Sequence, residues 1–105
     1  MTKILVLAGA TAVGKTALAI QWAQHFNGEI INADSRQVYR YMDIGTAKPT
    51  PVEQSAAVHH LLDVVNPDET LTLADFQSRA YARIEAIHER GKVPILAGGT
   101  GMYIT

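Results

Sequence analysis

Four short runs of mostly apolar residues punctuate the chain: KILVLA (3–8), EIINA (29–33), HLLDVV (60–65) and VPILAG (93–98). They lack the sustained polar–apolar alternation of a strand with one wet face, and so read as strands of a parallel sheet buried on both sides. Between the first two, the spacing turns helical. Leu18, Trp22 and Phe26 recur at i, i+4 and i+8, which predicts a helix from about Lys15 to Phe26 with its stop at Asn27-Gly28. A second long helix is expected to begin at Thr72, where the hydroxyl serves as N-cap and Asp75 stands three residues on. Phe76, Ala80, Ile84 and Ile87 form its apolar stripe, Leu73 joins the core, and Gly91 ends it before the last strand. Residues 36–59 break the rhythm with Gly45, Pro49 and Pro51, and regularity returns only in a short helix at PVEQSAA. The alternation of strand and helix predicts an α/β sheet whose ligands bind beyond the carboxyl ends of the strands, with 36–59 as an excursion across that edge.

The first strand runs into the most specific signal in the chain, GATAVGKT. Its spacing, G-x-x-x-x-G-K-[ST] between a strand and a helix, is that of a phosphate-binding loop, and it sharpens the fold class to a P-loop NTPase-like parallel sheet flanked by helices. All eight positions contribute. Gly9 and Gly14 let the backbone curl, and the N–H groups of Ala10, Thr11, Ala12 and Val13 turn inward toward an anion at the positive end of the helix. Lys15 reaches the outer phosphates, and Thr16 offers its hydroxyl to Mg²⁺. The alternative is a glycine-rich turn that merely joins strand to helix. The loop identifies a phosphate ligand without fixing the reaction.

Composition narrows the partners. With 105 residues, 48% hydrophobic and 18% charged, the chain is suited to one globular domain with a core. Nine basic residues against ten acidic ones give a net charge of −1, so any contact with nucleic acid or an anionic membrane must be local. The absence of cysteine rules out disulfides and thiolate metal sites, and the six-residue apolar run before the glycine loop is too short for a signal-peptide core or a membrane span. The expected setting is cytoplasmic.

Two further loops are predicted at the same edge. Asp34 in ADSRQVY ends the second strand, where its carboxylate suits a general base, a Mg²⁺ ligand or an N-cap. Arg36, Arg40 and Lys48 place positive charge nearby, as for a polyanion or simply as a solvated loop. GGTG (98–101) follows the last strand, with Thr100 as a hydroxyl donor between glycines, or as ordinary turn punctuation. His59 and His60 are neighbours that point apart on an extended chain and have no further ligand at helical spacing, so an ordinary polar role is expected rather than a metal. Asp63 sits within its apolar run rather than at the tip, which favours a structural hydrogen bond.

Taken in order, GATAVGKTALAI, GEIINADSRQVYRYMDIGTAKPT, HHLLDVVNPDE, ADF and GKVPILAGGTGMY resemble the amino-terminal part of the tRNA dimethylallyltransferases, also called tRNA isopentenyltransferases. The likeness covers nearly the whole chain, and DSRQVY followed by MDIGTAKP is far more specific than the phosphate loop. Ala10 stands where this family often has proline. The resemblance implies transfer of a dimethylallyl group from dimethylallyl diphosphate to the exocyclic amine of the adenine 3′ of the tRNA anticodon. Asp34 would accept a proton from that amine or orient it, and Ser35, Arg36 and Gln37 would contact the extruded nucleotide. Thr100 matches a position at the tRNA and diphosphate site, and Mg²⁺ would be the cofactor. Family members are longer, so the sheet is expected to be incomplete and the chain an amino-terminal fragment. Such a fragment is expected to keep diphosphate binding, turn over tRNA poorly, and self-associate through uncovered strand edges. Rival readings are an ATP-dependent small-molecule kinase and a non-catalytic nucleotide-binding module.

Overall fold

The computed structural model describes residues 4–8, 15–33, 49–62 and 72–98. Among the described residues four strands, β1 (Leu5–Ala8), β2 (Gly28–Asn32), β3 (His59–His60) and β4 (Val93–Gly98), form one sheet in the order β1-β4-β2-β3, and all three pairings are parallel. The helices are α1 (Lys15–Phe26), α2 (Pro51–Ala56) and α3 (Leu73–Glu89). Period-2 alternation along β2 and β4 divides the core. Ile30 and Ile95 face α1, while Ile31 and Leu96 face α3. Both sides of β2 and β4 are therefore covered, as their apolar runs predict, whereas Val6 on β1 is 53% exposed.

Against one face lies α3, with Phe76, Ala80, Ile84 and Ile87 buried on Ile31, Leu61 and Leu96. Its ends follow from local chemistry. The Thr72 hydroxyl accepts from Asp75 N–H at 3.1 Å, and Gly91, at φ +74°, lets the chain turn out of the helix. There Gly91 N–H donates to His88 O and Lys92 N–H reaches back to Ile87 O, the paired bonds of a Schellman cap. At the short α2, Thr50 and Glu53 close a reciprocal capping box.

The structure shows which side of α1 is buried and corrects the third strand. On α1, the sheet meets Ala19 and Ala23, with Ile20 and Trp22 half-buried beside them, whereas Leu18 and Phe26 are 38% and 45% exposed. The helix is apolar on nearly every side, so spacing alone does not choose a face. The sheet takes the narrow alanine strip flanked by Ile20 and Trp22, and Leu18 and Phe26 turn outward. The third strand begins at His59 and ends at His60, and Leu61 and Leu62 bend out of it; of the run read as 60–65, residues 63–65 lie outside the described residues. Leu61 adopts a left-handed conformation, φ 66°, and its carbonyl accepts from the Asn32 side-chain amide at 3.0 Å. A non-glycine residue in that region cannot continue a pleated strand. The turn from α1 to β2 uses Asn27 at φ 55°, and Gly28 is required by proximity, because a Cβ there would stand 2.5 Å from Val93 O. No helix among the described residues is long and apolar enough to cross a membrane.

Candidate active site

Register decides where the polar loops leave the sheet. Ala8 is level with Gly98, Asn32 is level with Ala97, and Ala33 N–H continues the ladder to Ala97 O at 2.8 Å. The carboxyl ends of β1, β4 and β2 thus stop within one residue of each other on three adjacent strands. Neighbouring strands lie about 4.8 Å apart, so the three exits span roughly 10 Å. The segments that begin at Gly9, Asp34 and Gly99 depart from this one edge, as expected of a site at the strand tips. The first turn of α1 begins at Lys15, where unpaired N–H groups and the positive end of the helix dipole favour an anion.

Of the predicted site residues, Thr16 is the one whose side chain is described. It lies half-buried in the first turn of α1 and lines a small cavity of about 20 Å³ together with Asn32 and His59, over an apolar floor that includes Ala19 and Ile30. Gly9, Ala10, Thr11, Ala12, Val13 and Gly14 lie outside the described residues, as does the Lys15 side chain. So do Asp34, Ser35, Arg36, Gln37 and Thr100, along with Arg40, Lys48, Asp63 and the Leu73 side chain.

His59 and His60 occupy opposite sides of the sheet and do different things. His60 Nε2 lies 2.6 Å from Glu29 Oε1, and Arg90 clamps the same carboxylate with Nη2 on Oε1 at 2.6 Å and Nε on Oε2 at 3.1 Å. Burial opposes ionisation of Glu29, but the Arg90 and His60 hydrogen bonds and their charges outweigh it and hold the carboxyl below its ordinary value. Arg90 is raised by its hydrogen bond to Glu29. This group ties β2, β3 and the end of α3 together at the amino-terminal end of β2, away from the strand tips. His59 instead lines the cavity. Its Nδ1 meets Ala57 O at 3.0 Å, its Nε2 is buried with no hydrogen-bond partner among the described residues, and burial pushes its pKa down. Among the described residues no three His, Asp or Glu side chains group as metal ligands would.

Sequence reasoning missed Asn32 and the cavity role of His59. A polar residue in the otherwise apolar EIINA was the available signal for Asn32, which is buried and holds the Leu61 turn. For His59, nothing in its neighbours distinguished it from His60.

Comparison with known proteins gives this edge its context. The family described as IPP transferase matches residues 37–105. A tRNA dimethylallyltransferase of Roseiflexus sp. (strain RS-1) is 59% identical over 104 residues, covering 99% of this chain and 34% of the relative. The crystal structure of the full-length tRNA isopentenylpyrophosphate transferase from Bacillus halodurans superposes with a TM-score of 0.92 at 50% identity, covering 98% of this chain and 34% of that one. A eukaryotic dimethylallyltransferase captured acting on tRNA gives a TM-score of 0.91 at 45% identity, covering 98% and 26%. The chain therefore spans about a third of the length of the relatives it matches, and the fold is the P-loop-like α/β sheet of these enzymes. By the extent of the family match and the likeness of its fold, this chain belongs to the IPP transferase family.

Proposed function

We propose that this chain supplies the diphosphate cradle and amine-activating loop of a tRNA dimethylallyltransferase acting in the cytoplasm. The observation that carries the reading is the register that ends β1, β4 and β2 side by side at the first turn of α1. The names of the relatives support the choice of reaction. The substrates would be dimethylallyl diphosphate and the adenine 3′ of the anticodon of a tRNA.

In that reaction the allylic carbon–oxygen bond breaks, its electron pair leaves with the diphosphate, and a new bond joins the allylic carbon to the adenine N6 nitrogen. The proton lost from N6 passes to Asp34. Negative charge grows on the leaving diphosphate. The amides of Gly9, Ala10, Thr11, Ala12, Val13 and Gly14, with the Lys15 ammonium, are the groups in this chain that would stabilise it. Thr16 fits a Mg²⁺ site at the diphosphate, because its hydroxyl-bearing side chain stands half-buried in the first turn of α1, at the positive end of the helix. Bound there, the ion would add positive charge against the diphosphate. Ser35, Arg36, Gln37 and Thr100 would hold a base taken out of the anticodon stack, which costs a few kcal/mol.

Thermal unfolding of this chain with Mg²⁺ and either dimethylallyl diphosphate or ATP tests the reading. A ligand at 100 times its Kd adds ~2.7 kcal/mol, which raises Tm by roughly 10 °C in a domain near this size. The expected result is a larger rise with dimethylallyl diphosphate than with ATP. A rise with ATP alone overturns prenyl transfer in favour of nucleotide binding.

A further inference from the structure

We propose that the cavity beside Thr16 holds one ordered water molecule that donates to His59 Nε2 and accepts from the Thr16 hydroxyl, which makes His59 a positioning residue for Thr16. The Thr16 part rests on the proposed function, whereas the water site stands on the cavity itself.

The polarity of His59 follows from its surroundings. A backbone carbonyl only accepts hydrogen bonds, so the 3.0 Å contact between Nδ1 and Ala57 O places the proton of the neutral ring on Nδ1. Nε2 then carries a lone pair and needs a donor. It is buried and finds none among the described residues. An acceptor left this way is costly, and buried polar groups are ordinarily satisfied by protein or by ordered water.

Size selects the donor. The cavity measures about 20 Å³, above the roughly 10–15 Å³ that admits one water. Among the described residues its polar walls are Thr16, Asn32 and His59, enough to give a water two or more partners. Asn32 already donates to Leu61 O.

The hydrogen-bond directions are mutually consistent. With the Thr16 O–H donated to the water and a water O–H donated to His59 Nε2, a Thr16 oxygen lone pair stays free for a cation at the diphosphate site. Without the acceptor at the end of this relay, the hydroxyl is free to rotate and turn its hydrogen toward the cation.

Imidazole nitrogen NMR of this chain, recorded above the ordinary histidine titration range, tests the site without any ligand. The expected His59 Nε2 resonance is that of an unprotonated nitrogen accepting a hydrogen bond. Thr16→Val should move it toward the free lone-pair value, and Thr16→Ser should leave it in place. An Nε2 resonance at the free value in the unmodified chain, or one indifferent to Thr16→Val, overturns the relay. In calorimetry with Mg²⁺ and inorganic diphosphate, His59→Phe should weaken binding about tenfold, the equivalent of one hydrogen bond, and His59→Gln should recover most of the loss by offering an acceptor oxygen. Equal affinity of His59→Phe and the unmodified chain removes the positioning role. If the unmodified chain takes no diphosphate, the proposed function fails, and the nitrogen resonance decides the water site by itself.

Discussion

The two faces of the sheet are built on opposite terms. Under α3, large side chains close the core: Phe76, Ile84 and Ile87 bury themselves on Ile31, Leu61 and Leu96, and Ile31 and Ile87 are completely inaccessible. Under α1, the contact is made by Ala19 and Ala23 on Ile30 and Ile95 with Ile20 and Trp22 at its margin, Leu18 and Phe26 turn outward, and a small cavity remains beside Thr16. One face is filled and capped at both ends. The other carries the helix whose first turn points at the ligand edge, and its small contacts let that helix lie close to the sheet. The contrast separates a face closed by large side chains from one that sets Thr16 and the first turn of α1 at the carboxyl ends of the strands.

The largest expected effect is on the filled face. Ile87→Ala should cost about 2–5 kcal/mol, because the site is enclosed and cannot collapse. Thermal unfolding would register this as a fall of roughly 8–20 °C. Next is Ala23→Leu, which inserts three carbons where α1 meets the sheet and should cost about 1–3 kcal/mol by overpacking. If it instead raises Tm, the alanine strip is not a close contact and the contrast between the faces fails.

Acid should act on both faces. Burial lowers the His59 pKa from 6.5, so below that value the unfolded chain takes the proton first. The stability is complete above 6.5 and is lost as pH falls through the folded value. Glu29, held below 4.5, behaves in the same sense in a lower window, where its protonation releases Arg90 and His60. A denaturant midpoint measured from pH 7.5 down to 3 should therefore fall in two stages, and Glu29→Gln should remove the second. The smallest effect is expected from Leu18→Gln on the outward side of α1, within about 0.5 kcal/mol by the same measurement. A loss comparable to that of Ile87→Ala would show that the outer face of α1 is a packed surface.

Much of the fold was legible because its signals are local. The bounds of α1 and β4 match the spacing read from TALAIQWAQHF and VPILAG. The α3 stripe and both its ends follow from Thr72, the 3–4 spacing from Phe76 to Ile87, and Gly91. That β1, β4 and β2 end on one side was legible too, since parallel strands necessarily emit their carboxyl ends together. Less legible were features that depend on partners far along the chain. Glu29 sits in an apolar run and meets Arg90 across 61 positions, and Asn32 meets Leu61 across 29. No spacing rule connects such pairs.

By itself the sequence determined the bounds of α1 and β4 and both ends of α3, and it set a glycine-rich segment with phosphate-loop spacing between the first strand and the first helix. Periodicity, caps and loop spacing act within a few residues, where the chain's own geometry leaves few choices. Tertiary structure alone decided which side of α1 is buried, where β3 ends, and that His59 rather than His60 faces the cavity with its Nε2 unpaired among the described residues. Those outcomes depend on close packing and on buried polar groups finding partners, and both are settled only when segments distant in the chain are brought into contact.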